Sequence, residues 1–325
     1  MWAYIVRRIL YAIPILIGVN LLTFLLFFVV NSPQDMAVAH IGDRYVTQDA
    51  IDRWIVTNGY DKPLFYNESA HDAAKFTDTL FFAQSKKLFT FNFGTSDTGR
   101  DIGYDISERM WPSLALALPS LLFGLTINVS LALFIVLFRG TYFDASGVTA
   151  CVALMSISSL FYIISGQYLL AKVLHWMPIS GYSPGLSAIT FLILPVIVSV
   201  FSGMGSGVRW YRAIFLEEIS KDYVRTARAK GLSEITILFK HVLKNAMLPI
   251  LTGVVVLIPS LFLGSLILES FFSIPGLGSY TIDAIRSQDF AIVRSMVFLG
   301  SVLYIVGLIL TDISYTLVDP RVRLN

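Results

Sequence analysis

Residues 210–249 read WYRAIFLEEISKDYVRTARAKGLSEITILFKHVLKNAMLP and, with Arg209, form a charged island between two apolar stretches. Eight of the chain's 24 Lys and Arg fall here: Arg209, Arg212, Lys221, Arg225, Arg228, Lys230, Lys240 and Lys244. The acids that oppose them are Glu217, Glu218, Asp222 and Glu234. A basic segment between membrane spans belongs on the cytoplasmic side. The island holds one glycine, Gly231, and no proline before Pro249. That pattern predicts two helical pieces joined at Gly231–Leu232–Ser233, with Ser233 capping the second. Such an element lies on the membrane surface and can offer a side to a soluble partner.

The rest of the composition agrees with a membrane setting. Of 325 residues, 55% are hydrophobic and only 14% charged, where soluble domains carry about 25%. The net charge of +2 says little, because the charges are unevenly placed. Beyond the basic island nothing favours nucleic-acid binding. The single cysteine, Cys151, sits in an apolar segment and reads as a small core residue. It excludes an internal disulfide and a multi-cysteine metal site.

Outward from the island, apolar runs mark six spans: 9–30, 112–138, 146–171, 187–207, 246–268 and 291–315. The first, with 22 residues, is long enough for about 30 Å of hydrocarbon. A cleaved signal peptide competes, since Ala37-Val38-Ala39 resembles a cleavage site, but the run exceeds a signal core of about 7–15 residues. The short inside segments carry Arg7, Arg8, Arg139, the island, Arg321 and Arg323; the short outside loops carry Lys172, Arg286 and, at a span mouth, Arg294. This bias places both termini in the cytoplasm. The expected fold is an all-α membrane protein with six transmembrane helices and a long external segment between the first two. Its parts are an N-terminal helix at 1–30, an external cap at 31–111, a five-helix core at 112–316 containing the cytoplasmic loop 209–245, and a tail at 317–325.

Within the cap, a helix is expected from Thr47 to Gly59, and Lys86 to Phe93 alternates weakly enough to suggest a strand. A disordered loop is the alternative, against which the aromatic content argues. Pro275, Gly276 and Gly278 predict a turn after the fifth span, with Tyr280 to Arg286 returning as a short helix.

The spans are almost free of charge, Asp312 near the inner end of the sixth being the exception. Ion-driven carriers usually place acids or histidines at mid-membrane, where charge is expensive. Neither GxxxxGK[ST] nor HExxH occurs, His40, His71, His175 and His241 are scattered, and no nucleophile has a base at motif spacing. No catalytic residue and no metal site are expected, nor an ATP site in this chain. Asn128, Ser158, Ser159, Gln167, Ser199 and Ser202 are polar groups within the spans. They are candidates for a solute path, and helix packing explains the same residues.

DYVRTARAKGLSEITILFKHVLKNAMLPIL resembles the coupling loop of ABC importer permeases in the dipeptide, oligopeptide and nickel branch. The broad motif there is Glu-Ala-Ala, three residues, Gly, nine residues, Ile-x-Leu-Pro. Gly231, Ala227 and Leu243 fit it, whereas Arg225, Thr226, His241 and Lys244 depart from it. YIVRRILYAIPILIGVNLLTFLLF, the loop FNFGTSDTGRDIGYDISERMWPSLALALPS, LHWMPISGY, ESFFSIPGLGSYTIDAIRSQDF and YTLVDPRVRLN resemble other stretches of the same family in the same order. Residues 70–90 do not match and look like an insertion.

The resemblance implies a type I importer permease in the bacterial inner membrane. It implies a coupling helix docked on an ATPase through Asp222, Arg225, Ala227, Arg228, Lys230, Gly231, Leu232 and Ser233, with an outer-gate turn at Pro275, Gly276 and Gly278. The implied partners are a related second permease, two ATP-binding subunits that hold ATP and Mg, an external solute-binding protein and membrane lipid. Peptides are the expected solute. A nickel or other small-solute importer, an exporter or sensing subunit, a secondary carrier or channel, and a membrane scaffold are the other readings.

Overall fold

A computed structural model describes residues 2–42 and 47–318. Among the described residues the chain is helical, with one isolated bridge between Thr95 and Asp101. The helices are α1 (Trp2–Phe24, continued as a π-helix over Leu25–Val30), α2 (Pro33–Ile41), α3 (Gln48–Thr57), α4 (Ala74–Thr77), α5 (Leu80–Phe89), α6 (Ile102–Leu137), α7 (Tyr142–Met155), α8 (Ser159–Gly166), α9 (Ala188–Ile219), α10 (Asp222–Ala229), α11 (Glu234–Thr236), α12 (Leu243–Leu263), α13 (Leu266–Phe272), α14 (Leu277–Ser287) and α15 (Phe290–Val318). π-helical turns extend α8 over Gln167–Val173 and join α11 to α12 over Ile237–Val242.

Among the described residues, five helices are long and apolar enough to cross a membrane: Leu10–Val30, Ile102–Leu137, Gly185–Ile219, Glu234–Leu263 and Phe290–Ile313. The expected third span is instead a pair, Tyr142–Met155 and Ser159–Val173, bent by 88°. The bend has a local cause. Ser158 is extended and its Oγ accepts from Leu160 N, so it starts a new helix, while Ser156 Oγ bonds back to Val152 O. The Ser156 hydroxyl shares Val152 O with the backbone N–H of Ser156, and the Ser158 oxygen supplies the first acceptor of the new helix.

Other boundaries differ from the sequence expectation. The second span starts ten residues earlier than Pro112, at Ile102, where Asp101 Oδ1 accepts from Tyr104 N. The fourth span's helix runs on to Ile219, so about the first quarter of the basic island continues it. The fifth helix stops at Leu263, because Gly264 has φ +71°, and Ser265 caps the separate α13. Where a strand was expected over Lys86 to Phe93 there is α5, capped by Thr79, with Leu80, Gln84 and Leu88 buried at intervals of four. The apolar period there is that of a helix. The tail residues Asp319, Pro320, Arg321 and Arg323 lie outside the described residues.

The chain forms two compact units. The first is built chiefly from Met1–Arg109 and Tyr280–Ile309. The core of this unit is aromatic: the Phe24 ring lies 4.7 Å from Phe28, 5.2 Å from Phe65 and 5.1 Å from Phe81. Met36 and Leu80 fill the same cluster, so the segment expected as a cap packs onto α1. Arg294, near the start of α15, is buried; its Nη2 donates to Gln84 Oε1 at 2.8 Å and its guanidinium lies 5.3 Å from the Phe28 ring.

The second unit is built chiefly from Met110–Ser279. Its larger core joins Ala132 and Val136 of α6, Cys151 of α7, Val208 and Phe215 of α9, Val224 and Ala227 of α10, and Ala246 and Ile250 of α12. Arg212 forms a forked ion pair with Asp144, with Nε–Oδ1 at 3.0 Å and Nη2–Oδ1 at 2.7 Å, tying α9 to the start of α7.

Candidate coupling surface and cavity

The basic island folds into a surface with a defined inner and outer side. Helix α10 buries Val224 and Ala227, and enclosing a valine contributes about 1.5 kcal/mol. Its end is a Schellman turn: Gly231 N bonds to Arg228 O at 2.9 Å and Leu232 N to Ala227 O at 3.3 Å. Gly231 has φ +77°, a conformation that favours glycine. Ser233 then caps the next helix, its Oγ accepting from Thr236 N, as the Gly-Leu-Ser spacing predicts.

The side chains around the turn divide by task. Arg228 is tied down: Nε–Oε1 of Glu234 is 2.6 Å and Nη2–Oε2 is 3.1 Å, a fork across the turn. Arg225 is free by comparison, 74% exposed, with a loose 3.4 Å contact to an exposed Asp222. Lys230, Gly231 and Leu232 are exposed as well. No atom lies within 4 Å of where a Gly231 Cβ would be, so the outer side of the turn is open. Ile235 and Phe239, each 58% exposed, extend Leu232 into an apolar stripe that the reading by charge passed over. Behind the turn, Glu218 is buried and accepts from Lys221 Nζ and from Tyr223 OH at 2.7 Å. Burial pushes the Tyr223 hydroxyl up to about 12.

Between the helices of the second unit lies a cavity of about 720 Å³. Asn128 and Ser199, both expected on a solute path, line it, together with Ser120, Ser206, Trp210 and Tyr211. A neighbouring cavity of about 450 Å³ is lined by Ser159, Ser199 and Ser202. Ser199 borders both. Ser158 and Gln167 line neither cavity. Ser158 caps α8, and Gln167 Nε2 donates to Ile179 O at 3.1 Å and Phe271 O at 3.2 Å. Among the described residues, no charged side chain lines either cavity.

The turn at Pro275, Gly276 and Gly278 is organised by a buried carboxylate just past the apolar run 246–268. Glu269 is fully buried in α13. Its Oε1 accepts from Ser113 Oγ at 2.8 Å and Ser265 N at 3.1 Å, and its Oε2 from Ser279 N at 3.0 Å. Ser113 Oγ also accepts from Leu277 N at 2.8 Å. Burial pushes the Glu269 carboxyl up, against the pull of these donors. A Cβ at Gly276 would come within 2.5 Å of both the Glu269 carboxyl and Ser113 Oγ, so only glycine lets the backbone close over the carboxylate.

The sequence pattern of the binding-protein-dependent transport system inner membrane components matches residues 128–324. The chain belongs to this family. The pattern for the N-terminal part of such membrane components matches residues 1–111 of the permease. Full-length relatives agree. The permease is 33% identical over 331 residues to a Brucella abortus protein provisionally named a peptide transport system permease protein, with 99% of each chain covered. It is 31% identical over 348 residues to the di/tripeptide transport system permease protein DppB of Pseudomonas aeruginosa, again with 99% of each covered. It is 29% identical over 331 residues to the oligopeptide transport system permease protein AppB of Bacillus subtilis, covering 99% of the permease and all of the relative. The permease is therefore a multi-pass protein of the inner membrane and a component of an ABC-type transport system.

Proposed function

We propose that this permease forms half of the translocation path of an ATP-driven peptide importer. The observation that carries the reading is the end-to-end similarity to permeases named for di/tripeptide and oligopeptide transport. A large cavity with hydroxyl, amide and aromatic walls and no charge suits solutes that differ in side chain and are selected by another polypeptide. The other half of the path is a related permease. Two ATP-binding subunits supply the work, with ATP and Mg on their side, and an external solute-binding protein delivers the peptide. This chain then has no catalytic role of its own.

In this reading both termini are cytoplasmic and residues 31–111 are external. The outward face of α10 and its turn docks on an ATPase through Asp222, Arg225, Lys230, Gly231 and Leu232, with Leu232, Ile235 and Phe239 giving the contact an apolar part. Ala227 anchors the helix from behind, Arg228 holds the turn's shape and Ser233 starts the next helix. Pro275, Gly276 and Gly278 form a turn at the outer gate.

Mild-detergent purification of the tagged chain from its host tests the assembly. Recovery of a second permease with two ATPase chains and peptide-stimulated ATP hydrolysis is expected. Recovery of the chain alone, without ATPase activity under several gentle conditions, would overturn it.

A further inference from the structure

Most hydroxyls in the larger cavity are already committed. Ser120 Oγ donates to Leu116 O, Ser206 Oγ to Gly203 O and Ser260 Oγ to Leu257 O, each within its own helix. Asn128 is different. It is over nine-tenths buried in the cavity wall, and among the described residues its Oδ1 finds no hydrogen-bond partner. The amide rests on Gly207, where a Cβ would come within 2.4 Å of Nδ2. A polar atom enclosed without a partner has lost its water and gained nothing in return. Its amide torsion is broad and roughly two-fold, so either polar edge can turn toward the cavity at little cost.

We infer that Asn128 is a docking residue for a backbone amide of the passing peptide. A side-chain amide carries both a donor and an acceptor, and a peptide bond offers the complementary pair whatever side chains flank it. Among the described residues the cavity has no charged side chain to hold a peptide terminus, and the backbone amide is the recognisable feature common to varied peptides. This inference rests on the peptide reading above.

The test uses the complete transporter, reconstituted in vesicles with its binding protein, and two solutes: a tripeptide and the matching depsipeptide with an ester at the second linkage. The ester lacks the N–H and keeps the carbonyl. With Asn128→Leu, kcat/KM for tripeptide uptake should fall about 5- to 10-fold, as expected for losing a buried hydrogen bond, and for the ester less than 2-fold. Any discrimination by the binding protein is common to both forms and cancels. The thermal stability of the complex should stay level or rise, because the variant removes an unpaired polar group. Equal losses for the two solutes, unchanged tripeptide uptake or a lower unfolding temperature would overturn the inference and make Asn128 a packing residue. Asn128→Ala, which cannot press against Gly207, is read the same way if the leucine variant does not assemble; failure of both would also mark the residue as structural. Should the wild-type complex take up no peptide, the functional reading itself fails. Peptide uptake by the wild type with no loss in either variant sinks only the role of Asn128.

Discussion

Ser113 and Glu269 are 156 residues apart in the chain and joined by a 2.8 Å hydrogen bond in a fully buried site. The carboxylate collects donors from α6, from the break before α13 and from the start of α14, and thereby fixes the turn at Gly276. Replacing Glu269 with Ala leaves the Ser113 O–H and the N–H groups of Ser265 and Ser279 without their acceptor. At about 1–3 kcal/mol per stranded buried group, the loss should be roughly 3 kcal/mol or more. Glu269→Gln should fall between, since its amide nitrogen must face at least one N–H. Thermal unfolding of the purified protein checks the order; an alanine variant as stable as wild type would contradict it.

Asp144 and Arg212 make a second test, on the cytoplasmic side of the proposed topology. Both side chains are mostly buried, 15% and 23% exposed. Removing either partner alone leaves an uncompensated charge, and Arg212→Leu or Asp144→Leu should each cost about 3 kcal/mol. The double variant should be more stable than the sum of the singles predicts. A double-mutant cycle in unfolding free energy measures this, and strict additivity would mean that the pair is not coupled.

Gly231 separates a structural role from a docking role. The space outside it is empty, and aspartate tolerates the left-handed conformation better than most residues. Gly231→Asp should therefore reach the membrane at wild-type levels and lose uptake. Uptake within two-fold of wild type would argue against docking at this turn.

Asp97 predicts a pH dependence outside the spans. Burial and then the Asp289 charge hold its carboxyl above the ordinary value of 3.8, with His40 pulling the other way. Ionising it therefore costs more in the folded chain than in the unfolded one. That cost is present above the folded pKa and fades as the pH falls through it. Asp97→Asn should accordingly unfold at a higher temperature than wild type at pH 7, and the gap should close on acidification toward pH 4. A gap independent of pH would exclude the carboxyl as its source.

Hydropathy and charge carried the reading a long way. The five clear spans are visible as apolar runs, and the Gly231–Ser233 junction was legible because Gly at a positive φ and Ser at a cap act locally. The misses are of another kind. The bend at Ser156 to Ser158 sits inside a continuous apolar run, where hydropathy registers composition and not backbone geometry. Helix α5 was misread because its buried residues are few and its end, with Phe91 at φ +56°, breaks the period. Glu269 lies one residue past the apolar run 246–268, and no local pattern announces a carboxylate whose enclosing partners include the distant Ser113. The six polar residues named within the spans divide by surroundings. Asn128, Ser159, Ser199 and Ser202 border cavities, whereas Ser158 and Gln167 hold the backbone, a distinction that needs the tertiary contacts.

Val224 and Ala227 leave α10 with no compliant layer beneath it. The eight-residue helix is keyed into the same packed cluster as α6, α7, α9 and α12, and packed side chains transmit strain because they compress little. A displacement imposed on this short helix cannot be absorbed where it is applied. It must be shared among four helices at once, which makes α10 behave as the handle of a lever whose stroke is set by how far the whole cluster can move as a block.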